Sequence, residues 1–221
     1  MWIVPEGRER IAAAVCAVVL GSFLFFKPGI FLISGAVVCF GALTAVSLIC
    51  RIYRCPRRSG PGNPDSIIAC ADGLVLSVET LDCPEFYPNG KALRICVRPG
   101  FWDAHVTRAP VSGRITRLTY REGQRKLSSD AAFSGNHSIT LIEDAEGTNW
   151  LLVQLSGGSS RIVSTWTAEG AVVSRGTEIG FVPPRGRIEL WFPADAAEIK
   201  ILPGDRLSAG ETVVAERIVH A

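Results

Sequence analysis

The chain has 221 residues, of which 48 % are apolar, and its charges nearly balance at a formal net charge of +2. This composition excludes an intrinsically disordered chain and allows a sizeable hydrophobic core. The small net charge gives no support for a nucleic-acid partner. The excess of cations lies in residues 1–58, which carry seven Lys or Arg against two Glu.

Two apolar runs open the chain. Residues 11–26 contain no charge, and a Lys-Pro-Gly turn separates them from a longer uncharged run over residues 30–50. A helix needs about 20 residues to cross the hydrocarbon, so the second run is long enough and the first is marginal. Because Pro-Gly suits a short turn, the pattern predicts a membrane-associated helical hairpin over residues 1–58. A cleaved signal peptide is the alternative, although it would explain only the first run.

Arginines flank both ends of this hairpin. Arg8 and Arg10 precede it and four arginines follow it between residues 51 and 58, whereas the turn holds only Lys27. The positive-inside rule then puts both ends in the cytoplasm. We therefore expect a membrane-associated protein of the bacterial inner-membrane type, with its globular domain on the cytoplasmic side.

Residues 59–65 form a Gly/Pro/Asn-rich linker, and residues 66–221 read as short β-branched runs separated by Gly, Pro and Asp turns. This pattern predicts a mainly β domain. Segments 163–176 and 198–210 each contain two Gly turns about six residues apart. That spacing is typical of lipoyl-type barrel-sandwich (hammerhead) folds, in which glycine permits a positive φ between short strands. Lys200 lies within a strand pattern, so a swinging-arm carrier lysine is not expected.

The seven cysteines are scattered along the chain and include no CxxC pair. Zinc ligation and thioredoxin-like redox chemistry therefore lack support. We expect free thiols in a reducing compartment and no metal site.

Three short segments carry side chains suited to chemistry. Asp72 lies in an Ala-Asp-Gly turn, His105 and Arg108 lie in the segment DAHVTRAPVSG, and the corner PPRG ends at Gly186. Taken singly, each has a structural explanation. Asp favours turns because its carboxylate bonds nearby amides, His105 would suit a core position, and Arg108 a solvated face.

Together and in this order, the segments resemble the short (archaeal-type) form of the phosphatidylserine decarboxylase family. That family has a hydrophobic hairpin, an ADG turn and a D-x-H-V-x-R-A-P-V-S-G segment, matched here over residues 103–113. An N-S-I-T strand and a G-D-x-V-x-A-G-E-T tail follow, present here as HSIT and GDRLSAGET. The resemblance implies a lyase of phospholipid biosynthesis, made as a zymogen, whose pyruvoyl group decarboxylates phosphatidylserine to phosphatidylethanolamine.

The resemblance also implies roles for individual residues. Asp72 would orient and polarise the histidine, and His105 would act as general base in self-cleavage or as general acid towards the product. Arg108 or Arg161 would pair with the lipid phosphate or the substrate carboxylate. The implied partners are phosphatidylserine or a related aminophospholipid and the membrane. A homo-oligomer or an active homologue is left open as a further partner.

The chain departs from the family at the cleavage corner. The short family reads F-G-S-R-V-D-L-Y, whereas residues 184–191 read PRGRIELW, which puts Gly186 at the position of the family's pyruvoyl-forming Ser. Glycine has no β-carbon and therefore supplies neither a nucleophile nor a group to eliminate. No pyruvoyl group is expected to form from Gly186.

Three interpretations follow. The first is a non-catalytic, aminophospholipid-binding relative that cannot process itself. The second is an enzyme that still decarboxylates by means the sequence does not reveal. An alternative from another class is a membrane-tethered hammerhead scaffold or adaptor without lipid chemistry, although a scaffold gives no reason for Asp, His and Arg to occur together.

Overall fold

A computed structural model describes residues 2–25, 30–82, 86–87, 91–121, 136–157 and 163–218, with the side chains of 21–25 and 30–36 left undescribed. Three sequence features fall outside these residues: the predicted Lys27–Gly29 turn, Cys83 and Arg161. The chain divides into two compact units, Met1–Arg57 and Arg58–Ala221.

The first unit consists of two helices closed by a short ladder. Helix α1 spans Pro5–Phe25 and helix α2 spans Ile30–Ile52, so both predicted helices are present. Strands β1 (Trp2–Ile3) and β2 (Arg54–Cys55) pair antiparallel and bring the two ends of the unit together. Among the residues that the structure describes, neither helix is long and apolar enough to cross a membrane.

The second unit is built from short strands. They are β3 (Ser66–Ile68), β4 (Gly73–Asp82), β5 (Lys91–Arg98), β6 (Val106–Arg108), β7 (Gly113–Arg121), β8 (His137–Glu143), β9 (Asn149–Leu155), β10 (Ser164–Thr165), β11 (Val172–Val173), β12 (Glu178–Phe181), β13 (Arg187–Pro193), β14 (Ala197–Ile199), β15 (Arg206–Leu207) and β16 (Val213–Arg217). The prediction of a mainly β fold of short strands behind an N-terminal helical pair is confirmed.

Three antiparallel sheets make up this unit. Eight strands form one curled sheet in the order β11-β7-β8-β9-β13-β5-β4-β15, and two smaller sheets have the orders β10-β12-β6 and β14-β16-β3. The four glycines of the two hammerhead-like segments, residues 170, 176, 204 and 210, all have positive φ, as the sequence predicts. They let the chain turn sharply between strands as short as two residues.

Strand β13 shows how the core is built, because successive side chains of a strand point to opposite faces. Ile188, Leu190 and Phe192 enter the main core, where the Phe192 ring lies 5.1 Å from that of Trp150. Trp191 joins a second cluster on the opposite face. Both faces of β13 are therefore covered. Elsewhere in the chain, the six described cysteines are free thiols, as expected.

The linker is held by a single arginine. Arg175 donates through Nη1 to the carbonyls of Asn63 at 2.6 Å and Ser66 at 2.7 Å, and through Nη2 to that of Pro61 at 2.7 Å. A guanidinium offers five donors in a fixed fork, so it can satisfy several carbonyls of one loop at once. The segment between Arg58 and β3 is consequently fixed on the second unit.

Candidate functional site

Asp72 lies in the turn between β3 and β4, and its carboxylate joins three segments of the chain. The Oδ1 atom accepts the Ala209 amide at 2.7 Å, and Oδ2 accepts the Ala104 amide at 3.3 Å and Arg58 Nη2 at 2.9 Å. Gly73 follows at φ +147°, where an added β-carbon would lie 2.4 Å from the Arg98 carbonyl oxygen. The Ala-Asp-Gly turn therefore needs glycine at its third position.

The contacts of Asp72 differ from those the resemblance implies. Its carboxylate holds the backbone of Ala104, the residue before His105, while neither imidazole nitrogen has a hydrogen-bond partner among the described residues. Asp72 orients this segment through the main chain, because its oxygens already have three donors.

Arg58 is a member of this site that the sequence analysis missed. It pairs with Asp72 and also places Nη1 2.7 Å from Glu211 Oε2. In the sequence it is the last of the basic residues beside the apolar arm, so its charge is explained without a site. Only the tertiary structure brings it to a carboxylate 14 residues away and another 153 residues away.

His105 begins the segment that leads into β6 and is 1 % exposed. Its carbonyl accepts the Val182 amide at 3.0 Å, and its ring lies edge-on to Phe181 with centroids 6.1 Å apart. Burial lowers the pKa of His105, and the main chain at Phe101, followed by the carboxylates of Asp103 and Asp72, opposes this only in part. The ring is therefore neutral at pH 7, the form in which one nitrogen can accept a proton.

The buried imidazole predicts a pH dependence of stability. The pKa of His105 lies below its ordinary value of 6.5 in the folded protein, so the unfolded chain binds the extra proton first as the pH falls through that value. The free energy of unfolding is expected to decrease on acidification below about pH 6.5 and to level off below the folded pKa. His105→Gln is expected to reduce this slope in urea denaturation. An NMR titration giving His105 a pKa at or above 6.5 would contradict the expectation.

Arg108, on β6, is buried and engaged by its neighbours. It places Nη2 3.0 Å from Glu178 Oε1 and donates through Nη1 to the Gly176 carbonyl at 2.7 Å. The other predicted anion ligand, Arg161, lies outside the described residues. Substrate binding by Arg108 or Arg161 stays a prediction.

The corner before β13 is a tight turn. The Gly186 amide donates to the Pro183 carbonyl at 3.0 Å, and Arg185 has φ +70°, the single positive value among the described non-glycine residues. A proline at the second position and a positive φ at the third are the pattern of a type II turn, which favours glycine at the third position. Arg185 therefore holds a backbone conformation that costs a residue with a β-carbon about 1–2 kcal/mol.

Neighbouring chain packs tightly on this corner. A β-carbon added to Gly186 would lie 2.2 Å from Val182 Cγ1 and 2.6 Å from the Leu155 carbonyl oxygen. On the facing segment, a β-carbon at Gly157 would lie 1.6 Å from the Arg185 carbonyl oxygen. The hydrogen bond between Val182 and His105 connects this corner directly to the histidine segment.

Glu189 is a second residue that sequence reasoning did not single out. It follows the corner on β13 with no solvent exposure, accepts from Trp191 Nε1 at 3.1 Å and lies 3.2 Å from Arg187 Nε. Burial raises the pKa of Glu189, while Arg187 and Arg94 lower it. The strand's polar/apolar alternation gives no sign of this burial, which arises because the sheet is covered on both faces.

A family model described as phosphatidylserine decarboxylase matches residues 46–215. The chain belongs to the phosphatidylserine decarboxylase family. It is 36 % identical over 217 residues to the phosphatidylserine decarboxylase proenzyme of Saccharopolyspora erythraea, covering 96 % of this chain and 87 % of that protein. It is 29 % identical over 222 residues to the proenzyme of Desulfotalea psychrophila, covering 97 % and 98 %. The family assignment places the protein in phospholipid biosynthesis.

The pyruvoyl group that is typical of the family does not fit the residues present at the corner before β13. In the Gly-Ser order that the resemblance implies, glycine would occupy the position of Arg185 and serine that of Gly186. Here the positive φ falls on arginine, and the space for a serine β-carbon is taken by Val182 and the Leu155 carbonyl. The disagreement therefore concerns both the missing hydroxyl and the packing around it.

Proposed function

We propose that this protein is a phosphatidylserine decarboxylase relative that stays a single polypeptide and binds an aminophospholipid without forming a pyruvoyl group. The observation that carries the proposal is the glycine at position 186, packed against Val182 where a β-carbon would need space. Between Val182 and Arg187 the chain contains no Ser, Thr or Cys that could act as nucleophile instead. Self-cleavage at this corner has no attacking group.

The retained polar groups support a binding role. His105 is buried and neutral, and the negative charge of Asp72 is balanced by Arg58. A neutral imidazole can accept from a lipid ammonium or donate to a carboxylate or phosphate oxygen. Arg108 could also serve the phosphate, but it would first have to release Glu178. The proposed ligand is phosphatidylserine or a related aminophospholipid.

The helical unit is proposed to associate with the membrane. Large apolar side chains are exposed along both helices, including Leu20 at 67 %, Val37 at 66 % and Phe40 at 76 %. Exposed apolar residues in such number suit a lipid environment better than water. We propose an inner-membrane association with the β unit on the cytoplasmic side, because the cations flank both ends of the helical pair. A homo-oligomer or an active homologue is a proposed further partner.

Intact mass spectrometry of the purified chain tests the proposal. The protein is expected to remain a single polypeptide of 23.8 kDa, because the corner lacks a nucleophile. A denaturing gel run without heating provides the control against cleavage during preparation. A C-terminal fragment of 36 residues, beginning at position 186, would contradict the proposal.

A further inference from the structure

An exposed aromatic pair lies between β5 and β6, close in the chain to His105. Phe101 is 48 % and Trp102 is 52 % exposed, and their rings meet edge to face with centroids 4.8 Å apart. Asp103 fixes the base of this loop, because its carboxylate accepts the Gly100 amide at 2.7 Å and lies 3.1 Å from Arg206 Nη2. The contacts of Asp103 thus fix a loop on which two large rings are about half exposed to solvent.

A cross-strand row continues this surface over the edge of the eight-stranded sheet. Leu74 of β4 pairs with Arg98 of β5 on one side and with Arg206 of β15 on the other. Directly paired residues point to the same face, so Leu74 lies between two cations. All three residues are exposed, and the Arg206 side chain keeps 72 % of its accessible surface.

Two further leucines extend the apolar area beside this row. Leu76 is 37 % exposed on β4, and Leu202 is 71 % exposed in the turn before β15. The Gly204 amide donates to the Val75 carbonyl at 2.9 Å, which brings that turn alongside β4. We call the whole patch the aromatic edge; its residues are Leu74, Leu76, Arg98, Phe101, Trp102, Leu202 and Arg206.

We propose that the aromatic edge contacts the head-group region of a phospholipid bilayer. Trp is favoured at the membrane interface, where its apolar ring leaves water while its N–H stays hydrated, and Phe adds apolar surface beside it. Arg98 is exposed on β5 and can pair with a lipid phosphate, which every phospholipid carries. The choice of a bilayer over a protein partner rests on the proposed function, since a lipid ligand must reach the site from a membrane.

The position of the aromatic edge relative to the candidate site supports this partner. Trp102 lies three residues before His105, and Leu74 lies two residues after Asp72. The Ala104 amide bound by Asp72 links these two segments. A bilayer in contact with this edge would therefore present its head groups to the segments that carry the buried histidine and carboxylate.

Quenching by brominated lipids tests the proposal on the full chain. The parent protein is reconstituted with phosphatidylcholine vesicles containing either phosphatidylserine or phosphatidylglycerol, with or without bromine on the acyl chains. The tryptophan fluorescence of the parent is expected to be quenched more than that of Trp102→Phe. Trp166→Phe, the same substitution at a partly exposed position of the β unit, is the matched control and is expected to keep the full quenching.

Equal quenching of the parent and Trp102→Phe would overturn the proposal. Loss of oligomers on Phe101→Ser, with no quenching assigned to Trp102, would also overturn it and give the surface to a second copy. The comparison of phosphatidylserine with phosphatidylglycerol vesicles separates this inference from the proposed function. Trp102-dependent quenching with no preference for phosphatidylserine over phosphatidylglycerol would keep the aromatic edge as a membrane surface while contradicting the proposed head-group ligand.

Discussion

Gly186→Ser alone is expected to leave the chain uncleaved and to lower the free energy of unfolding by about 1–3 kcal/mol, the usual cost of overpacking. The new β-carbon would lie 2.2 Å from Val182 Cγ1 and 2.6 Å from the Leu155 carbonyl oxygen. Either the turn or Val182 must move, and the hydroxyl would not then take the place of the family's serine. Urea denaturation and intact mass measure the two effects.

A cleavable corner needs space as well as a hydroxyl. Val182→Ala removes the nearest clashing atom, leaving the Leu155 carbonyl oxygen to be accommodated by the turn, and Arg185→Gly gives that turn a residue suited to φ +70°. Combined with Gly186→Ser, these changes are expected to produce partial self-cleavage with release of the 36-residue fragment. The same background with alanine at position 186 is the matched control and is expected to stay intact.

Adding His105→Gln to the cleavable variant separates the role of the histidine from that of the corner. Cleavage is expected to fall sharply, because general-base catalysis typically contributes about 10²–10⁴-fold. If the folded serine variant stayed intact with His105 present, the remaining site would be unable to support processing, and the missing hydroxyl would not be the whole cause.

Asp72→Ala is expected to lower the free energy of unfolding by about 3–5 kcal/mol, the range seen when one member of a buried ion pair is removed. The change leaves Arg58 with one carboxylate and orphans the amides of Ala104 and Ala209. Its matched control is Glu211→Ala, which removes the other partner of Arg58. The Glu211 side chain is 38 % exposed, so that loss is expected to stay below about 1 kcal/mol.

Urea denaturation of both variants measures how much each carboxylate contributes to the free energy of unfolding. The signal is best taken from Trp150, which is fully buried in the main core of the β unit. Equal destabilisation by the two substitutions would contradict the structural role given to Asp72. It would show that the charge of Arg58 matters and that the amide contacts do not.

The sequence predicts features that depend on local pattern. Strand β13 follows from the alternation in RIELWF, and glycines 170, 176, 204 and 210 were expected to have positive φ, as they do. The family motifs single out Asp72 and His105, and the structure connects their segments through the Ala104 amide. The strand and the glycine turns are predicted correctly because turn chemistry and strand periodicity are encoded within a few residues, whereas the roles of Asp72 and His105 stay predictions.

Features that depend on contacts between distant segments of the chain cannot be predicted from local sequence patterns. Arg58 looks like a flanking cation until the fold brings it to Asp72, and the sequence around Arg175 does not predict that it binds four carbonyls of residues 61–66. The burial of Glu189 follows from cover on both faces of the sheet. The tight space at Gly186 depends on the position of the Val182 side chain and of the Leu155 carbonyl, which no local pattern specifies.

The methyl group of Val182 makes it hard to introduce a serine nucleophile at position 186. A side chain added at position 186 would clash with Val182. A smaller residue at position 182 would relieve no clash while position 186 is glycine. A serine at position 186 is therefore expected to lower the stability of the protein, and a smaller residue at position 182 would relieve the contact with Val182 but not the one with the Leu155 carbonyl oxygen. On the proposed function, packing at this corner would by itself oppose the return of a cleavable serine.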